Sequence, residues 1–598
     1  MINSGRLIKY LILFPVMLIL YHCSPGVATE QEVTVEELRQ HITYLSSDSL
    51  AGRYPGTEGD MMAATYIRDQ FVSSGLKPEA EDGFQYFTLL QSVSPGQRNH
   101  FEVNDSAGEL GSDFAPFPFS GNAELTAGVS FCGYGFSISE ENMAWNDYAD
   151  IDIAGNWVMV LRGDPEAEDP ASIFAPYSSD RHKAYLAAEN GAAGLIMVSG
   201  QKFDKEDELV EIRLHQGRVS IPVIHVTRPT ANMILSRNGS SVEILEDILV
   251  NDMQPESFHT NTTVSATTDL VFNEAQTMNV IASIRGNDPG LRDEYIVIGA
   301  HYDHLGTGGE GSSSRRPGSS VVHPGADDNA SGVAAMLEIA EKLRSINEQL
   351  RRSYLFIAFG AEEKGLLGSK YFIENPVVDL ESVKAMINLD MVGRKNEEKT
   401  LQIGGVGTSA EGQELLHKVA GNYEFNTVFS MEGFGPSDHA SFYAKDIPVF
   451  FITTGAHPDY HTPDDTADRI NYAGLKRVAD FVTDLSAELG MMDNYLSFTE
   501  AGPRAPAAPR HGNRRVSLGI MPDFTSSGGD GLRADHVTPG RPAAQGGMQQ
   551  GDKITSINGN PVGDIHEYMY RLSQLDPGDI INVEVIRGEK KEILIIQL

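Results

Sequence analysis

Three short apolar runs, Tyr295–Gly299, Ser353–Gly360 and Ala385–Leu389, each stop beside a residue able to hold a cation or move a proton. The runs are rich in Ile, Val, Phe and Tyr and do not alternate, the pattern of strands buried on both faces. His301 follows the first, Glu362-Glu363 the second and Asp390 the third. In open α/β sheets the working crevice lies outside the carboxyl ends of the strands. Asp327-Asp328 stands before the helical stretch Val333–Leu343, and Tyr460-His461 follows a last strand at Val449–Thr453. Each piece has a plain reading alone: a histidine as surface, Asp327-Asp328 as a helix cap, Glu362-Glu363 as solvated charge. Their order at successive strand ends is what chance does not supply. Two imidazoles with several carboxylates at one edge suit a hard or borderline divalent metal.

At these residues the chain resembles the zinc-dependent exopeptidase family of the bacterial leucyl aminopeptidases, glutamate carboxypeptidase II and the glutaminyl cyclases. The likeness runs over roughly Val35–Phe119 and Glu274–Met491. It implies two Zn2+ ions, with Mn or Co able to stand in. His301 and Asp390 would hold one, Glu363 and His461 the other, with Asp328 bridging. Asp303 matches the family carboxylate that orients the first histidine, and Glu362 matches the general base. The activity implied is release of N-terminal residues from peptides. A carboxypeptidase, a glutaminyl cyclase and a peptide-binding protein without catalysis are the alternatives. A pocket for acidic C-termini would need arginine, and only Arg394 stands near the motifs.

The expected fold class is α/β: a mixed-sheet catalytic domain with helices on both faces, a β-rich insert and a β-rich C-terminal domain. Its catalytic parts are placed at 29–120 and 273–494. The insert, 121–272, resembles a protease-associated domain through Val129–Gly135, Trp157–Gly163, the helix Lys183–Asn190 with the strand Gly194–Val198, and Ile221–Ile224. Tyr495–Arg515, rich in Pro, Ala and Arg, reads as a linker. Val516–Leu598 resembles a PDZ domain, carried by Ser517-Leu518-Gly519-Ile520, Val537–Ala544 and Gly551–Gly559. Such domains take a peptide along a sheet edge and capture its terminal carboxylate on backbone N–H groups. Ser517, Leu518, Gly519 and Ile520 would form that loop, so the expected partners are peptide substrates and the C-termini of peptides or proteins.

Several other stretches fix smaller expectations. Leu50–Thr57, with its Gly and Pro, is a structural turn between helical segments. The Gly-, Ser- and Arg-rich stretch Gly306–Gly318 reads as a mobile rim, with His304 and His323 solvated or behind the ligands. Ser437-Asp438-His439 is no relay, because adjacent residues do not provide triad geometry. In a chain of 598 residues, 83 acidic against 46 basic residues argue against nucleic acid or anionic lipid as partners. Arg6 and Lys9 before the apolar run Tyr10–Tyr21 make residues 1–28 a secretory signal, ending at a lipidated Cys23 or after Ala28. The expected location is periplasmic, anchored to the cell envelope as a lipoprotein, or secreted, with no membrane contact beyond the signal or lipid. With Cys23 removed or lipidated, Cys132 has no internal partner.

Overall fold

The computed structural model describes residues 32–598 apart from 141–142, 168–171, 213–217, 310–311, 317, 319, 395–399, 503, 505–515, 523–530, 539, 564, 574, 576–577 and 589. The signal-like segment 1–28, with Cys23, and most of the linker lie outside the described residues.

The apolar runs do become strands. Tyr295–His301, Ser353–Phe359, Val383–Leu389 and Val449–Thr453 lie parallel at the centre of a nine-stranded sheet. Leu270–Ile284 and Thr400–Gly404 flank them antiparallel, so the sheet is mixed. Successive strand residues serve two different cores. Ile296, Ile298, Phe356 and Ala358 face one side, packed with the helices Val35–Leu45, Glu58–Ser73, Gly332–Ser345 and Tyr472–Met491. Val297, Leu355, Ile357 and Phe359 face the other, against Phe372 and Phe442 of two shorter helices. Helices on both faces leave the carboxyl ends of the parallel strands as the open edge.

The segment between the two helical stretches near the N-terminus acts as a peg. Arg53 is buried and sits in the left-handed region at φ +50°. Its guanidinium donates to the carbonyls of Leu45, of Tyr302 (2.6 Å), of Pro324 (2.8 Å) and of Gly325 (3.0 Å). One side chain thereby ties the first helix to the two loops that carry His301 and Asp328. Burial pulls its pKa to about 10 against the opposing pull of Asp328 and Asp303.

The insert is built on its own eight-stranded sheet, with a parallel core of Ala123–Cys132, Trp157–Leu161, Gly194–Val198 and Val223–Val226. This sheet also takes in His100–Val103, Ser106–Ala107 and Phe114–Pro116, which precede residue 121. These strands are two to four residues long and carry no periodicity of their own. The C-terminal domain has a separate core around Leu518, Ile554, Val583 and Ile596. Its strand Ile520–Pro522 lies at the end of the strand order, paired on one side with Leu532–Val537.

Candidate active site

The site is assembled from loops that leave the sheet at its open edge. The strand Tyr295–His301 delivers His301 at its last residue, and Val383–Leu389 delivers Asp390 one residue past its end. Left-handed non-glycine backbone marks the turns: Ala361 (φ +56°) before Glu362, Met391 (φ +55°) after Asp390, and His461 itself (φ +56°). Such conformations cost energy and gather where a structure must aim particular side chains.

The side chains meet in two overlapping groups. His301 Nε2 lies 3.2 Å from Asp328 Oδ1 and 3.4 Å from Asp390 Oδ1. His461 Nε2 lies 3.1 Å from Asp328 Oδ2 and 3.2 Å from Glu363 Oε1. Asp328 therefore faces both imidazoles with different oxygens. The donor atoms of His301, Asp328 and Asp390 all fall within 4.8 Å of one another. Asp328 Oδ2 and Asp390 Oδ1 are buried without a hydrogen-bond partner among the described residues. Buried carboxylate oxygens left unpaired are costly unless something shared by the group satisfies them. This nitrogen and oxygen donor set fits divalent cations such as zinc. Burial disfavours a charged Asp328, yet His304, His301 and His461 hold its carboxyl well below the usual range. Glu363 is likewise pulled to about 2, by His461 and His304 against its burial.

Glu362 stands beside this cluster but makes none of these imidazole contacts. Its carboxyl is raised well above the ordinary value by burial, and by Glu363, Asp438 and Asp390, with His301 opposing. Asp303 was expected to orient His301. Its carboxylate lies 3.8 Å from His301 Nδ1, while its carbonyl oxygen is the nearer, at 3.3 Å. The carboxylate instead accepts the main-chain N–H of Glu362 (2.9 Å) and of Glu363 (3.3 Å). It holds the two-glutamate turn against the His301 loop.

Two further residues support the cluster. His304, expected to be solvated or behind the ligands, takes the second of these places: it is fully buried, with Nδ1 2.9 Å from Glu363 Oε1 and 3.7 Å from Asp328 Oδ2. Its spacing of three residues from His301 was the available signal. Asp465, four residues past His461, is also buried. Its Oδ2 accepts the N–H groups of Asp327 (2.9 Å) and Asp328 (3.1 Å), and so aims the shared carboxylate. His323 is buried too, bonded to Ser314 Oγ at 2.8 Å and to the Val321 carbonyl at 2.9 Å. Ser437 Oγ accepts from Asn388 Nδ2 at 2.7 Å, and the His439 ring stacks on Phe451 at 4.5 Å, so the Ser-Asp-His run forms no relay.

A cavity of ≈ 100 Å³ opens onto the cluster. His301, Asp328, Glu362, Glu363, Asp390 and His461 form its polar wall. Met391, Phe451 and Ala456 supply an apolar part, and no Arg or Lys is among the described lining residues. Arg394 is engaged elsewhere, 2.6 Å from Asp459 and 3.7 Å from Asp465. Pro522 of the C-terminal domain completes the lining. The loop Ser517–Ile520 stands apart from the cluster, at the start of the strand that ends in Pro522.

The sequence profile of peptidase family M28 matches residues 279–486, that of the PA domain 123–234 and that of the PDZ domain 516–598. Aminopeptidase YwaD of Bacillus subtilis is 32% identical over 217 residues, covering 35% of this chain and 44% of that protein. A probable leucine aminopeptidase of Arthroderma otae is 30% identical over 233 residues, covering 37% and 59%. The chain thus spans about half the length of these two relatives. Among solved structures, the aminopeptidase from Aneurinibacillus sp. strain AM-1 aligns with a TM-score of 0.44 at 23% identity, over 80% of this chain and 97% of that one. The uncharacterized protein YfbL of Escherichia coli is 31% identical over 244 residues, which cover 35% of this chain and 69% of that protein. The matched stretch carries His301, Asp328, Glu362, Glu363, Asp390 and His461 together, and on that similarity the chain belongs to peptidase family M28.

Proposed function

We propose that the protein is an exported di-zinc aminopeptidase. The observation that carries this reading is the shared Asp328, set between His301 with Asp390 and His461 with Glu363, with Glu362 beside the group. In the proposed arrangement His301 and Asp390 would hold one zinc and Glu363 and His461 the second, with Asp328 shared between them. When bound, such a pair of cations lowers the pKa of a water and polarises the scissile carbonyl. Glu362 takes the proton from the attacking water and returns it to the leaving amine. Asp303 keeps Glu362 in place through its backbone, and Asp465 does the same for Asp328.

The choice of an N-terminal over a C-terminal exopeptidase rests on the cavity wall. Its described lining residues include no Arg or Lys, so it offers nothing to a terminal carboxylate. The relatives named as aminopeptidases agree with this choice. Hydrolysis of free-amine, amine-blocked and N-terminal Gln peptides, each with and without chelator, tests the reading. Chelator-sensitive release of the first residue from free-amine peptides alone is expected. Cleavage of blocked peptides, or cyclisation of the Gln peptide in place of hydrolysis, would overturn it. Export rests on the charged start and apolar core of residues 1–22. Mass spectrometry of the native protein should find a lipidated Cys23 or a start at Thr29; an intact Met1 would contradict it.

A further inference from the structure

The C-terminal domain reaches into the catalytic cavity. Pro522, the last residue of its edge strand Ile520–Pro522, lines the same cavity as Glu362 and His461. The opposite end of that short strand is the loop Ser517–Ile520. Gly519 turns there in the left-handed region (φ +74°) and packs directly on the stem of Arg541. A peptide added along this edge with its carboxylate at the loop has only one direction to run. Its remaining residues travel beside the strand toward Pro522, and therefore into the cavity.

The two ends are held at a fixed spacing. Arg315, from the loop beside the metal cluster, donates its main-chain N–H to the His461 carbonyl (3.0 Å). Its guanidinium donates to the Pro458 carbonyl (3.1 Å) and to Thr538 Oγ1 (2.7 Å) in the C-terminal domain. Thr538 in turn donates its N–H to the Gly519 carbonyl at 2.8 Å. A short bonded path thus joins the loop bearing His461 to the loop at the start of the edge strand. The charges are polarised along the same line. Among the described lining residues the cavity end has no Arg or Lys, whereas the loop end carries Arg541. The C-terminal carboxylate of a peptide is therefore favoured at the loop end and not in the cavity.

We infer that one short peptide is held at both ends, its C-terminal carboxylate at Ser517–Ile520 beside Arg541 and its N-terminal residue in the cavity. This deepens the aminopeptidase reading and rests on it. At about 3.4 Å per extended residue the edge carries the peptide about 10 Å, so peptides of about four to six residues span the two ends. Each turnover consumes one water, breaks the first C–N bond, and yields a free amino acid and a peptide one residue shorter. A product shortened below about four residues no longer spans both ends and dissociates.

The test uses the full-length, metal-loaded protein and peptides of two to ten residues beginning with Leu, each as free acid and C-terminal amide. The expected kcat/KM peaks at about four to six residues. At that length amidation lowers it at least about 10-fold, chiefly through KM, the usual worth of a charge-assisted hydrogen bond. In Arg541→Ala the acid-to-amide ratio should collapse toward one; should that variant fail to fold, the wild-type comparison decides alone. Hydrolysis that ignores both length and amidation overturns the inference and leaves the aminopeptidase reading standing. So does stimulation of small-substrate turnover by a separate carboxylate-ended peptide, which would make the domain a regulatory receptor. Failure to cleave any of the peptides overturns both.

Discussion

The carboxylate of Asp303 accepts the main-chain N–H of Glu362 at 2.9 Å. With the second bond, to Glu363 N–H, one buried carboxylate fixes the backbone of both glutamates. Asp303→Ala leaves two N–H groups without acceptors, at about 1–3 kcal/mol each. It should lower turnover roughly 10–100-fold, the usual effect of losing a group that positions a ligand. Asp303→Asn retains one acceptor oxygen and should fall between the wild type and Ala. Bound metal and kcat measured on both variants check the order; an unimpaired Asp303→Ala would show that the turn holds itself.

Arg53 supports the site without touching the cavity. A lysine in its place offers one compact donor group where four carbonyls are spread around a planar fork. Arg53→Lys should cost about 2–4 kcal/mol and reduce metal occupancy, because the loops bearing His301 and Asp328 lose their common anchor. Thermal melting with and without added zinc measures both effects. A variant with wild-type melting and metal content would remove Arg53 from this role.

The insert contains a lysine that composition does not reveal. Lys183 is fully buried, donates to the carbonyls of Leu161 (2.7 Å) and Gly163 (2.6 Å), and lies over the Tyr134 and Phe136 rings. Burial lowers its pKa to about 7, against Asp180, Asp164 and Asp147 and with Arg162. Above pH 7 the unfolded chain, with an ordinary lysine, binds the extra proton, so stability rises with pH there. The window closes where Cys132, held at about 12 by burial, begins to ionise in the unfolded state near 9. Between pH 7.5 and 8.5 the insert should gain about 1 kcal/mol, and Lys183→Met should abolish that gain. Both tryptophans of the chain, Trp145 and Trp157, lie in the insert, so their fluorescence follows its unfolding selectively. A flat wild-type profile would contradict the assignment.

The parallel strands were legible because burial on both faces writes itself as uninterrupted apolar residues, and the strand ends located His301, Glu362-Glu363 and Asp390. Gly194–Val198 in the insert was readable for the same reason. What stayed hidden depends on contacts across long stretches of chain. Asp465 reaches Asp327 and Asp328 from more than a hundred residues away, and no local pattern separates it from its solvated neighbours. His304 differs from an exposed histidine only through its burial against Glu363. The short strands between His100 and Pro116 are specified by the edges they pair with rather than by their own residues. The approach of Pro522 to the cavity follows from domain docking through contacts such as Arg315 with Thr538, which leave no periodic trace.

The division of labour between the adjacent glutamates is the centre of the account, and a single comparison tests it. Both glutamates line the cavity, but Glu363 Oε1 lies 3.2 Å from His461 Nε2 whereas Glu362 makes none of the cluster's imidazole contacts. Glu362→Gln keeps size and hydrogen-bonding reach but cannot accept a proton. It should retain full metal content and lose roughly 10²–10⁴-fold in turnover. Glu363→Ala should lose metal first and recover part of its activity in excess zinc. Metal content and turnover measured side by side on the two variants decide between the roles. Loss of metal from Glu362→Gln with retention in Glu363→Ala would reverse the assignments, and full activity in both would move the catalytic centre elsewhere.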